Sequence, residues 1–142
     1  MNRFIPGLHR EAPQGDRDLE GLFLVRVERV FYRSHPQKPF YTLRLQILEP
    51  KPYAGRTFSG RLYATPRAVW KLRWFLRDFG YDAILLSRDV IEEKTLVGLR
   101  GVVRVSHTTL NGRCFLNLER FAPEADWEEL SAAMVSMTGG ES

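Results

Sequence analysis

The amino-acid sequence predicts an all-β chain with helices, built as a five-stranded Greek-key barrel, and three observations carry that expectation. Five stretches alternate apolar and polar residues with the period of two that a strand requires. A helix signal falls between the third and fourth of them, and Asn111-Gly112 joins the last two as a two-residue hairpin, since both turn residues must take positive φ.

The first strand opens at Gly21. Phe23, Val25 and Val27 share one face, and Arg26 and Glu28 the other. The phase slips near Arg29 and Val30, as a bulge would make it do, bending a long strand to serve two parts of one sheet. A basic, mobile loop with Arg33, His35 and Lys38 is expected to follow. The central pair spans Phe40 to Ala64, interrupted by a loop that begins Glu49-Pro50-Lys51-Pro52. Tyr41, Leu43, Leu45 and Ile47 define one apolar face and Phe58, Gly60, Leu62 and Ala64 another, leaving Phe40, Arg44, Arg61 and Tyr63 on the polar side.

Thr65-Pro66 reads as a helix start, threonine capping and proline filling the first helical position. Val69, Leu72, Phe75, Leu76 and Phe79 recur at helical spacing, and Gly80 is placed to end the helix. Trp70 and Trp74 lie on its other face among Arg67, Lys71, Arg73 and Arg77; both are read as core or lid rather than as a ligand platform. Asp89 to Leu96 predicts a short helix, from the capping-box spacing of Asp89 and Glu92. Gly101–Leu110 and Arg113–Phe121 are the last two strands, and Asp126 to Met137 a C-terminal amphipathic helix with Trp127, Leu130, Met134 and Met137 on one stripe. The core is expected to include Val25, Leu43, Leu45, Leu62, Val103, Val105, Leu116 and Leu118.

These elements divide the chain into an irregular arm over residues 1–20, a barrel over 21–121 and an acidic C-terminal helix and tail over 122–142. The 142 residues, 44% hydrophobic, suffice for one core without disulfides. The single cysteine, Cys114, rules out an internal disulfide framework and lies on the face of Leu116 and Leu118, a core-filling position; a reducing cytoplasm is the expected setting. No apolar run is long enough to span a bilayer, and residues 1–20 lack the apolar segment of a secretory signal, so no membrane association is expected.

Charge is uneven. Residues 1–121 hold all 21 Lys and Arg against 12 acids, a net +9, whereas 122–142 hold five acids and no base. Seventeen of the 21 bases are arginine, the residue that grips phosphate bidentately and stacks on bases. Guanidinium groups beside aromatic rings suit a ligand that offers phosphates and flat bases. The candidate binding residues are Arg26, Arg33, Lys38, Phe40, Arg44, Arg56, Arg61 and Tyr63.

Catalysis is not expected. His9, His35 and His107 lie far apart with no metal-ligand spacing, and the glycines stand at strand starts and kinks rather than in a phosphate-binding loop. Asp78, Asp82 and Asp89 are read as solvated acids. No metal or other cofactor is implied.

Three strands, a helix and a hairpin is the order of the OB-fold, whose second and third strands face the ligand. Gly21-Leu22-Phe23, Gly55-Arg56, Phe79-Gly80 and Gly98-Leu99-Arg100-Gly101-Val102 resemble phage and prophage OB-fold proteins of the single-stranded-DNA-binding type over residues 21–121. That resemblance implies a nucleic-acid-binding role in replication or recombination. Single-stranded DNA or RNA is the expected partner. The alternative is a protein-interaction or scaffold module that uses the C-terminal helix or the tryptophan-bearing helix, because fold alone does not choose between them.

Overall fold

Alternation along the chain is realised as five strands: β1 (Gly21–Arg33), β2 (Phe40–Glu49), β3 (Thr57–Tyr63), β4 (Arg100–Leu110) and β5 (Arg113–Pro123). The structure is a computed structural model that describes residues 17–139, with side chains described as far as residue 133. The expected N-terminal arm up to residue 16, including His9, and the chain end from Gly140 lie outside the described residues, as do the side chains of the stripe positions Met134 and Met137. The strands form one antiparallel sheet in the order β3-β2-β1-β4-β5. Among the described residues no helix is long and apolar enough to cross a membrane.

The length of β1 lets it serve two neighbours. Gly21 to Arg26 pairs with β4 and Leu24 to Arg33 with β2, with the register slipping between Val27 and Arg29 as the phase change in the sequence predicts. On the other side of β1 at this point, the Val27 amide donates to the Leu99 carbonyl at 2.8 Å and its carbonyl accepts from the Gly98 amide at 2.8 Å, continuing the β1–β4 contact past Arg26 and Arg100. Asn111 and Gly112 take φ of 53° and 77° and close the β4–β5 hairpin.

The sheet is open by hydrogen bonding: β3 and β5 are its edges and no ladder joins them. They nevertheless meet. A Cβ built on Gly60 of β3 would stand 2.5 Å from Leu118 Cγ of β5, closer than any side chain tolerates, so glycine is what allows the two edges to approach. Helix α1 (Val69–Asp78) packs against both edge strands, inserting Leu72, Phe75 and Leu76. Phe75, Phe79 and Phe121 form a cluster of tilted and edge-to-face rings, with centroids 4.6 to 6.0 Å apart. The Phe79 ring also lies where a Cβ on Gly101 would be, which explains the second strand glycine. Of the expected core, Val25, Leu43, Leu45, Leu62, Val103, Val105 and Leu118 are buried, and Leu116 is partly buried against them.

Local expectations differ from the structure in four places. Helix α1 begins at Val69 rather than at Pro66: residues 66–68 form a turn in which the Thr65 carbonyl accepts from both the Ala68 and Val69 amides, and Val69 is exposed. The region after Gly80 holds two short helices where one was expected over Asp89 to Leu96. In α2 (Ala83–Ser87) the Asp82 carboxylate caps, accepting from the Ile84 and Leu85 amides at 2.8 and 3.1 Å, and α3 (Glu93–Leu96) starts after Glu92; Asp89 takes a φ of 56° beyond the end of α2 and is not a cap. Leu19, within the expected irregular arm, is fully buried in the core. Finally, α4 (Trp127–Gly139) is entered through a 3-10 turn at Glu124–Asp126, and Trp127 is 8% exposed, its indole donating to the Glu49 carboxylate.

That last contact has a sheet-level cause. Glu49, Leu24, Val102 and Ala122 form one cross-strand row. Val102 faces away from the core that holds Val103, yet is 1% exposed; on that side the 3-10 turn Glu124–Asp126 packs against β4, and Trp127 is tied to Glu49 of the same row.

Candidate nucleic-acid interface

The outer face of β1, β2 and β3 is assembled by register. Successive cross-strand rows place Arg26 beside Gln46 and Thr57, Arg29 beside Arg44 and Ser59, Phe31 beside Thr42 and Arg61, and Arg33 beside Phe40 and Tyr63. Five arginines and three rings therefore share one surface. Glu28, at the bulge, faces them with a carboxylate 3.8 Å from Arg44 Nε, an exposed and weak pair. Arg44 also donates to Thr57 Oγ1 at 3.4 Å.

The rings have unequal roles. Phe40 was expected to be exposed and is not: it is 6% exposed, with the Arg61 guanidinium 4.2 Å from its ring centre and the Tyr63 ring 5.5 Å away. The physical reason is the diagonal across the β2–β3 ladder, where neighbours two residues out of register are within reach of long side chains and cover the ring between them. Phe40 thus supports Arg61 and Tyr63, and Tyr63 remains half-buried at the margin. The open ring on this face is Phe31, 55% exposed, which sequence reasoning left out together with Arg29. The signal was present: carrying the alternation past the slip at Arg29 puts Arg29, Phe31 and Arg33 on the polar side.

The remaining candidates divide. Lys38 is exposed in the β1–β2 loop beside this face, where the amides of Gln37 and Lys38 donate to His35 Nδ1 at 3.2 and 3.1 Å and give the loop a folded core. Arg56 lies at the opposite end of the β2–β3 hairpin. It makes a bidentate pair with Asp18 at 2.8 and 2.9 Å and sits 5.6 Å from the centre of the Tyr53 ring. Its hydrogen bonds hold the Asp18 carboxyl below the usual carboxylate range, as expected for a clasp that ties the entering chain to the sheet beside buried Leu19.

Beyond Tyr63 the surface dips into a shallow groove of about 250 Å³ between the end of β3, the start of α1 and β5, lined by Arg61, Tyr63, Arg67, Trp70, Lys71 and Asn117. Burial pushes the Lys71 ammonium below the ordinary lysine range, partly opposed by Glu119. Trp70 was read as core or lid. It is 58% exposed, lying on the face of α1 opposite the buried Leu72, Phe75 and Leu76, while Trp74 one turn on is half-buried against Phe121.

Sheet and surface together define a mostly-β protein whose five-stranded antiparallel sheet presents an arginine-rich, ring-bearing outer face. The chain matches no protein-family model, and no curated protein resembles it at a significant level.

Proposed function

We propose that this protein binds single-stranded nucleic acid, without catalysing a reaction on it, through the outer face of β1, β2 and β3. The observation that carries this reading is the interleaving on one surface of Arg26, Arg29, Arg33, Arg44 and Arg61 with Phe31 and Tyr63, with the Glu28 carboxylate only weakly paired among them. Arginines at strand spacing neutralise successive phosphates, and rings between them receive bases that a duplex would keep stacked on each other.

The architecture proposed with it is an OB-fold-type barrel. Its supports are the strand order, the helix between β3 and β4 that packs on both edge strands, and the close approach of those edges at Gly60 and Leu118. A role in replication or recombination of a phage or mobile element follows from the sequence resemblance. Single-stranded DNA is the first ligand to test, RNA the second.

Fluorescence anisotropy with labelled oligo-dT, the matching RNA and a duplex, each at two salt concentrations, tests the reading. Tighter binding to single strands than to the duplex, weakening as salt rises, is expected. Equal affinity for duplex, or no binding at low salt, overturns it in favour of a protein-interaction module.

A further inference from the structure

Trp70 carries more exposed aromatic surface than any core or lid role needs, and it is held in place. Its ring is stacked on Trp74 with centroids 6.1 Å apart and planes 24° from parallel. Trp74 in turn donates its indole N–H to Asp78 Oδ2 at 2.8 Å and meets Phe121 edge-on at 5.8 Å, so it is fixed both to its own helix and to β5. A ring resting on a ring fixed in this way is pre-organised, and a flat partner can be added to the stack without first ordering the side chain.

The surroundings supply the matching charge. Arg67 and Arg73 stand one turn before and after Trp70, Lys71 is adjacent, and Arg61 closes the far side of the groove. Among the described residues Arg61, Arg67, Lys71 and Arg73 have no carboxylate within 4 Å, whereas Arg44, Arg56, Arg77, Arg100 and Arg104 do. Arg61 and Tyr63 belong both to this groove and to the outer face of the sheet. The two surfaces are therefore continuous.

We propose that the strand bound on the sheet face runs on past Tyr63 through this groove and stacks a base on Trp70, with Arg67 and Lys71 taking the adjoining phosphates. The inference rests on the single-strand reading above and extends the contact from the sheet to α1. A stacked base contributes with little regard to sequence, so Trp70 adds affinity rather than base preference.

Intrinsic tryptophan fluorescence and anisotropy with labelled oligo-dT test it on the full chain. Trp70→Ala is expected to weaken binding about 5- to 150-fold with an unchanged salt slope, from the usual contribution of one base–aromatic stack. Trp70→Phe should keep most of the affinity and lose most of the fluorescence quenching that oligo-dT causes. Arg67→Ala should lower the salt slope by about 0.7, one phosphate on a single strand. Thermal melts of each variant exclude unfolding, which the exposure of Trp70 makes avoidable. If Trp70→Ala binds like the wild type while Arg44→Ala/Arg61→Ala does not, the groove is not on the path and this inference alone fails. If the wild type binds no single strand, both readings fail.

Discussion

The Arg61 guanidinium sits 4.2 Å above the centre of the Phe40 ring, although Arg61 pairs across the ladder with Thr42 and Phe40 pairs with Tyr63. This diagonal contact gives two residues that sequence placed side by side as ligand-binding partners different duties. The buried ring orients the cation, at about 0.5 to 2 kcal/mol for such a pair, and in the proposed reading the outward edge of the cation is what meets a phosphate.

Phe40→Ala should therefore act first on stability. Removing a buried phenylalanine costs about 3 to 5 kcal/mol, and a chemical denaturation curve is the measurement. A Phe40→Ala protein that melts like the wild type yet loses oligo-dT binding would restore Phe40 as a stacking platform.

Tyr63→Ala and Phe31→Ala should each weaken single-strand binding by about 1 to 3 kcal/mol at constant salt slope, because stacking releases no counterion. Anisotropy titrations at several salt concentrations separate the two quantities.

Arg44→Ala/Arg61→Ala should do the converse. The salt slope of log affinity should fall by about 1.4, from about 0.7 per phosphate on a single strand, and the loss should be nearly independent of base identity.

The acidic C-terminal segment begins beside the Arg26 row, since Trp127 is tied to Glu49 and Glu124 lies 3.5 Å from Arg100. Removing residues 122–142 would also take away Ala122 and Pro123 of β5, which pair with Val102 and Gly101, so the truncation does not isolate the charge. Glu128→Gln/Glu129→Gln leaves the strand and the Trp127–Glu49 tie in place. It should raise low-salt affinity for oligo-dT, and the gain should vanish at high salt as screening removes the repulsion.

The Asp18–Arg56 clasp sets an acid limit. A carboxyl whose folded pKa lies below its ordinary 3.8 adds stability that is present above that value and is lost as pH falls through the lower folded pKa. Melting temperature followed from pH 5 downward should fall less steeply below about pH 4 in Asp18→Asn than in the wild type, that onset being the ordinary carboxylate range. Parallel curves would show the clasp to be worth nothing to folding.

Gly60→Val should destabilise the fold by about 1 to 3 kcal/mol or more, the usual cost of overpacking a filled core, because the new methyl groups must displace Leu118. Leu118→Ala in the same chain should recover part of that loss, which a double-mutant cycle reads directly.

Period-two alternation, the slip at Arg29 and the Asn111-Gly112 turn were sufficient for five strands, their antiparallel hairpin and nearly all of the core, because each is a local property of backbone geometry and of the side-chain period. The arginine-rich character of one sheet face was legible for the same reason. What each arginine does was not. Arg56 and Arg61 look alike in sequence, and only the folded chain brings Asp18 to the first and the Phe40 ring to the second. Burial of Phe40, the stacking of Trp70 on a Trp74 fixed by Phe121 and the tie of Trp127 to Glu49 depend on contacts between side chains whose meeting the fold decides, and local periodicity carries no record of them. The sequence by itself determined the sheet and the sign of its surface charge. Tertiary structure decided which rings are open, which cations already have partners, and that β3, β5 and α1 meet closely enough at Gly60 to set a groove beside the arginine face, because those outcomes are settled by packing between elements rather than within them.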